Sequence, residues 1–105
     1  MRVAIIMGST SDLPKMEAAV EILKSYGVAV DVRCLSAHRP HAGLSAFIDE
    51  TKTNGTEVII AAAGMAAALP GVIAASTTLP VIGVPIKGML ESMLPYMCRV
   101  VIHLY

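Results

Sequence analysis

Charged residues are scarce in this sequence, and tryptophan is absent from it. Only 15% of the 105 residues are charged, against roughly 25% in an average soluble domain. The eight basic and eight acidic residues balance, and no run of Lys and Arg occurs. Because a nucleic-acid-binding surface needs a basic stripe, nucleic acid is not an expected partner. A chain with so few charges is expected to bury part of its surface against copies of itself, as a homo-oligomer.

Cysteine is also rare, and no segment has the pattern of a targeting signal. Cys34 and Cys98 show neither metal-site pairing nor a disulfide framework, and we expect free thiols in a reducing, cytoplasmic compartment. The first apolar run, residues 3–7, is too short for a signal-peptide core. Residues 58–86 carry no charge, but glycine and proline interrupt them. This favours strand, helix and strand buried in protein over a membrane span.

Short apolar runs alternate with amphipathic segments along the chain. Strands are predicted at residues 2–7, 28–35, 58–63 and 79–84. Helices are predicted between Asp12 and Gly27, after Pro40 to near Asn54-Gly55, and over residues 69–75. This alternation implies right-handed crossovers and a parallel sheet. We therefore expect residues 1–105 to form a single α/β domain.

The first two predicted helices have clear sequence signals. Asp12 can cap the first helix, Pro14 suits its first turn and Gly27 can end it. Its apolar face is predicted to comprise Met16, Ala19, Val20, Leu23 and Tyr26. The second helix is predicted to bury Leu44, Phe47 and Ile48.

Four unusual clusters of glycine and polar residues each follow a predicted strand. The clusters occupy residues 8–12, 36–40, 63–67 and 85–88. In an open parallel sheet, ligands bind outside the carboxyl ends of the strands. The sequence therefore predicts one pocket formed by four loops.

The first loop suits a phosphate. Gly8 allows close approach of the backbone, Ser9 and Ser11 supply hydroxyls, and the helix amino terminus presents free N–H groups. Asp12 would repel a phosphate and better suits the hydroxyls of a ribose. The alternative is that Ser11 and Asp12 only cap the helix.

The second and third loops differ in chemistry. His38 can donate and accept a proton near neutral pH, and Arg39 can hold a phosphate or carboxylate; the alternative for His38 is a plain surface residue. A metal site formed by Cys34, His38 and His41 would straddle a strand end and a turn without a carboxylate, so no metal is expected. The third loop, around Gly64, offers only backbone groups that can seat a flat heterocycle or CO2, or else it serves close packing.

Four motifs in this order resemble one family. They are MGSTSD at residues 7–12, SAHR at 36–39, AGMAAALPG at 63–71 and LPVIGVP at 79–85. Together they resemble the N5-carboxyaminoimidazole ribonucleotide mutases, also called the catalytic subunit of phosphoribosylaminoimidazole carboxylase. The resemblance implies a three-layer, flavodoxin-like parallel sheet with helices on both faces. It also implies a homo-octamer that acts in purine (IMP) biosynthesis with no metal or organic cofactor.

The resemblance also assigns roles to residues. His38 is the expected proton shuttle of an isomerase that moves a carboxylate from N5 to C4 of the ring through CO2. Ser9, Asp12 and Arg39 are expected to bind the phosphoribosyl part of a small ribonucleotide substrate. The expected substrate-binding set is Ser9, Ser11, Asp12, Ser36, Arg39 and Gly64. The Ser-Ala-His-Arg motif favours the mutase over relatives that use free CO2 and pair His with Lys.

The sequence departs from the family pattern at two places. Ala68 stands where many relatives have histidine. Beyond about residue 90 the pattern is lost, so residues 1–90 are interpreted as a family-like core and 91–105 as a divergent tail, as in a truncated or frameshifted form. The rival hypotheses are an inactive remnant and a non-enzymatic flavodoxin-like nucleotide-binding module. His38 beside Arg39 argues against the module, because phosphate binding needs no imidazole.

Overall fold

The computed structural model describes residues 1–8, 10–35, 42–63 and 69–85. In chain order, the elements are β1 (Arg2–Met7), a 3-10 turn (Thr10–Asp12), α1 (Leu13–Ser25), β2 (Ala29–Cys34), α2 (Ala42–Thr51), β3 (Thr56–Ala63), α3 (Leu69–Ala74) and β4 (Val81–Pro85). The alternation of strands and helices is the predicted one, and the bounds of β1 match the prediction.

The four strands form one parallel sheet in the order β2-β1-β3-β4. The chain steps from β1 to β2 on one side and then crosses to β3 on the other side of β1. This is the order of the first four strands in flavodoxin-like folds, with the topological switch point between β1 and β3. The predicted flavodoxin-like α/β fold is confirmed.

Alternate residues of the central strands form two separate cores. One core contains Ala4 and Ile6 of β1 together with buried residues of α2 and α3: Leu44, Phe47, Ile48, Leu69 and Ile73. The other contains Val3, Ile5 and Met7 and packs against Met16, Ala19, Val20 and Leu23 of α1. Because strand side chains alternate between faces, one apolar run can feed both cores. The helices therefore cover both faces of the sheet, as predicted.

The first helix corrects two predictions. Tyr26 is 81% exposed and does not belong to the apolar face of α1. The helix ends at Ser25, so Tyr26 takes the C-cap position instead of extending the buried stripe. Asp12 occupies the N-cap position, but its side chain makes no capping hydrogen bond. Its φ of −84° and ψ of −15° are helical because a 3-10 turn precedes the helix, whereas a capping side chain needs an extended backbone.

Three element bounds differ from the predicted ones by two or three residues. Strand β3 begins at Thr56, two residues earlier than predicted, and α2 ends at Thr51. Strand β4 begins at Val81 because the residues before it form a turn, in which the Leu79 N–H donates to the Thr77 hydroxyl at 3.1 Å. Within the described residues, the uncharged stretch 58–86 contains strand, helix and strand, as predicted. None of the helices described has the length and apolar character needed to cross a membrane.

Candidate active site

The carboxyl ends of all four strands lie at the same edge of the sheet. Met7 of β1 is aligned with Cys34 of β2 and with Ala62 of β3. Ala63 of β3 is in turn aligned with Pro85 of β4. Each segment that was predicted to carry site residues therefore leaves the sheet at this carboxyl edge.

Of the predicted site residues at this edge, the structure describes the side chain of Asp12. It also describes Gly8, which belongs to the same loop. A Cβ added to Gly8 would meet nothing within 4 Å, so the space above the end of β1 is open. Asp12 is only 6% exposed, yet its carboxylate is not used to cap α1. A buried carboxylate that makes no capping hydrogen bond therefore lies four residues from a glycine with open space beside it. The interpretation of Asp12 as only a helix cap is wrong.

The other predicted site residues cannot be placed in the same way. Ser11 lies in the 3-10 turn, and the structure describes its backbone alone. The remaining predicted residues lie outside the described residues: Ser9, Ser36, His38, Arg39 and Gly64. Their roles stay predictions.

The described residues do include both ends of the segment that carries His38. The Leu35 N–H donates to the Met7 carbonyl at 2.8 Å, which fixes the exit of β2 against β1. On the α2 side, Leu35 Cδ2 lies 3.4 Å from the position that a Cβ on Gly43 would occupy. One residue before Cys34, the guanidinium of Arg33 lies over the ring of Phe47, with Cζ 4.9 Å from the centroid.

Arg33 and Phe47 were not predicted as functional residues, although the sequence held a signal for their contact. Strand alternation places Arg33 on the face of β2 opposite Val32, and Val32 packs toward α1. Arg33 must therefore project toward α2, where Phe47 is buried. Strand alternation alone could not predict which side chain of α2 Arg33 would contact.

The shorter of the two ion pairs among the described residues lies at the opposite, amino-terminal end of β1. Arg2 donates from Nε to Asp31 Oδ2 at 2.7 Å and from its terminal nitrogen to Oδ1 at 3.1 Å. The hydrogen bond from Arg2 is the largest influence lowering the pKa of Asp31, and the positive charges of Arg2 and Arg33 act in the same direction. This pair is structural and distant from the carboxyl edge.

Other candidate chemistry at the edge is limited. Cys34 at the end of β2 is a free, exposed thiol, as predicted. Among the residues in the described ranges, no three His, Cys, Asp or Glu side chains group closely enough to hold a metal ion.

The strand order and the polar segments at one edge define a flavodoxin-like α/β protein whose carboxyl edge is suited to a ligand. The family model described as AIR carboxylase matches residues 2–100. This chain belongs to the AIR carboxylase family.

Proteins from distant organisms show the same similarity. The chain is 55% identical over 86 residues to a phosphoribosylaminoimidazole carboxylase of Saccharomyces cerevisiae, covering 82% of this chain and 15% of that protein. It is 51% identical over 86 residues to an N5-carboxyaminoimidazole ribonucleotide mutase of Thermotoga maritima, covering 82% of this chain and 50% of that one. A mutase of Vibrio cholerae is 50% identical over 88 residues, which cover 84% of this chain and 55% of the relative. The chain thus spans about half the length of these mutases.

Solved structures agree on the fold. The crystal structure of Treponema denticola PurE superimposes with a TM-score of 0.78 at 23% sequence identity. The match covers 97% of this chain and 62% of the other.

Proposed function

We propose that this chain provides the core of a 5-(carboxyamino)imidazole ribonucleotide mutase of de novo purine biosynthesis. The proposal is supported by membership of the AIR carboxylase family and by relatives about half identical to the chain that are named as mutases. The observation that carries it is the carboxyl end of β1, where the buried Asp12 carboxylate makes no capping hydrogen bond and a Cβ on Gly8 would meet only open space. A ribose and phosphate need this combination of an acceptor and room for close approach.

The substrate is proposed to lie across the carboxyl edge of β1, β2 and β3. Asp12 accepts hydrogen bonds from ribose hydroxyls, while Ser9, Ser11 and Arg39 hold the phosphoribosyl part. The amino terminus of the first helix adds N–H groups that favour a phosphate. Ser36 and the backbone at Gly64 complete the pocket around the flat imidazole ring.

His38 is proposed to move one proton in each direction. The imidazolium form donates its proton to N5 as the carboxylate leaves that nitrogen as CO2. Ring carbon C4 then attacks the CO2, and the neutral imidazole removes the C4 proton, which restores the charged form. The protons balance within the cycle. As the resemblance implies, the proposed reaction uses no metal or organic cofactor. The pocket has to retain CO2 between the two steps.

We further propose that the chain works in the cytoplasm as a homo-oligomer, an octamer as the resemblance implies. Apolar side chains that remain exposed on the described surface support association: Ile22 is 58% exposed, Tyr26 81% and Ile82 44%. Light scattering of the purified chain tests this, and a monomer at micromolar concentration would contradict it.

The purified chain tests the catalytic proposal in one experiment with two substrates. N5-carboxyaminoimidazole ribonucleotide in bicarbonate-free buffer should be converted to the C4-carboxylated product. Faster product formation from aminoimidazole ribonucleotide and CO2 would instead favour the carboxylase activity named for the yeast relative. Saturable binding without turnover of either substrate would favour a nucleotide-binding module. Absence of both binding and turnover would overturn the proposal.

A further inference from the structure

Helix α1 carries apolar residues on two different sides. The side that packs against the sheet contains Met16, Ala19, Val20 and Leu23. A second side contains Ala18 and Ile22, which are four residues apart and therefore lie one above the other on the helix surface. Ala18 is exposed, Ile22 is 58% exposed, and Tyr26 at the C-cap is 81% exposed. The contact with the sheet therefore leaves this second side open to solvent.

One positive charge belongs to the same side of the helix. At about 100° per residue, four exposed residues fall within about 80° of the helix circumference, and we call them the outer surface of α1: Lys15, Ala18, Ile22 and Tyr26. The other charged residues of α1 fall outside this arc: Glu17, Glu21 and Lys24. The outer surface is therefore apolar at its centre, with a cation near one end and an aromatic ring at the other.

We propose that the outer surface of α1 docks against the same surface of a second copy of this chain, with the two helices antiparallel. A two-fold axis pairs each residue with a different residue of the partner. An axis level with Val20 places the small Ala18 opposite the large Ile22 of the partner subunit, because residue 20 is the midpoint of this pair. The same axis places Lys15 opposite Tyr26 of the partner subunit, since their midpoint lies between residues 20 and 21.

The charge on the outer surface favours this antiparallel arrangement. Lys15 lies in the first turn of α1, where the helix dipole is unfavourable for a cation. In the antiparallel pair it lies beside the carboxyl-terminal end of the partner helix, which favours a cation, and it faces an aromatic ring. The two lysines are then about 16 Å apart along the helix axes, beyond the screening length of about 8 Å. A parallel pair would instead place the two lysines side by side.

This complementarity identifies a second copy as the partner. One axis satisfies both the match in size and the match in charge, and neither ion pair of the described ranges involves Lys15. The inference specifies one contact of the homo-oligomer proposed above and rests on that part of the proposed function. It does not depend on the catalytic proposal, which the turnover assay decides separately.

Ile22→Glu is the variant that tests the surface. An apolar anchor at the centre of an interface is typically worth about tenfold in the dissociation constant or more, and two-fold symmetry removes two anchors at once. The contact should therefore weaken about 100-fold. Ala18→Gln is a second variant, which fills the space opposite Ile22 without adding charge. Ala46→Glu is the matched control, because it adds the same charge at an exposed position of α2.

Sedimentation velocity over a series of concentrations measures the effect. At a concentration where the parent is assembled, the mass of Ile22→Glu and of Ala18→Gln should fall to half or less, and Ala46→Glu should match the parent. Thermal unfolding of each variant identifies any loss of the fold itself. If the parent assembles and both α1 variants assemble equally well, the outer surface faces solvent or another protein, and the inference fails while the homo-oligomer stands. A parent that is monomeric throughout would overturn both.

A charge exchange tests the antiparallel register. Lys15→Glu should weaken the contact about tenfold, because it places an acid beside the carboxyl-terminal end of the partner helix. Tyr26→Lys should also weaken it, because two cations then face each other. The double variant Lys15→Glu/Tyr26→Lys places opposite charges against each other and should recover most of the association. Additive losses in the double variant would overturn the proposed pairing.

Discussion

Arg2, the first residue of β1, and Asp31, the third residue of β2, are joined by paired hydrogen bonds of 2.7 and 3.1 Å. Their partners in the sheet are offset, since Arg2 is aligned with Ala29 and Asp31 with Ala4. The long arginine side chain therefore reaches diagonally across the strand pair. The contact restrains β2, the edge strand that leads to the His38 segment.

This pair predicts a specific dependence of stability on pH. Because the folded-state pKa of Asp31 is lowered from its ordinary 3.8, the stabilisation is present above that pH and is lost as the pH falls through the folded pKa. Asp31→Asn should therefore lower the melting temperature near neutral pH and lose this effect in acid below pH 3.8. Thermal unfolding from pH 7 to pH 2 checks this. A difference between the variant and the parent that stays constant across the range would contradict it, and high salt should reduce the difference at pH 7.

Asp12→Asn separates a binding role from a structural one. The carboxylate makes no cap hydrogen bond, so the substitution should leave the melting temperature nearly unchanged. Hydrogen bonds to a carboxylate are roughly twice as strong as neutral ones, and ribonucleotide affinity should fall roughly tenfold. Titration calorimetry measures the affinity. Asp49→Asn, on the exposed side of α2, is the control and should bind as the parent does.

Two glycines should respond in opposite ways to substitution by alanine. Gly27 has a φ of +77°, so Gly27→Ala should cost about 1–2 kcal/mol of stability and leave substrate affinity unchanged. Gly8 has space for a Cβ and no positive φ, so Gly8→Ala should fold normally. The added methyl should weaken ribonucleotide binding, because it occupies the open space above β1. Chemical unfolding and calorimetry of both variants decide, and a destabilised Gly8→Ala with normal binding would remove Gly8 from the site.

His38→Asn should abolish turnover while substrate binding stays largely intact. A proton shuttle acts in the transition state, and its loss typically lowers the rate about 10²–10⁴-fold. The control is His41→Asn, which changes the other histidine of the same segment. Undiminished kcat in His38→Asn, or an equal loss in both variants, would refute the assigned role.

The alternation of apolar runs and amphipathic helices was sufficient to predict the order of elements and the parallel sheet. The prediction succeeded because β1 is apolar at every position from Val3 to Met7, and such a run is stable only when both faces of the strand are covered. Leu44, Phe47 and Ile48 were likewise identified from helical spacing, since one face of α2 has to be buried. Their positions follow from local periodicity, which is visible directly in the sequence.

Tertiary structure decided the features that depend on neighbouring chain segments. Tyr26 fits the helical spacing of α1 but is exposed, because the helix ends one residue earlier. Asp12 has the residue type of a helix cap, yet the 3-10 turn before it sets a backbone conformation in which the side chain cannot cap. The stacking of Arg33 on Phe47 depends on how β2 and α2 pack. Contacts of this kind join residues distant along the chain, and only the packed fold determines them.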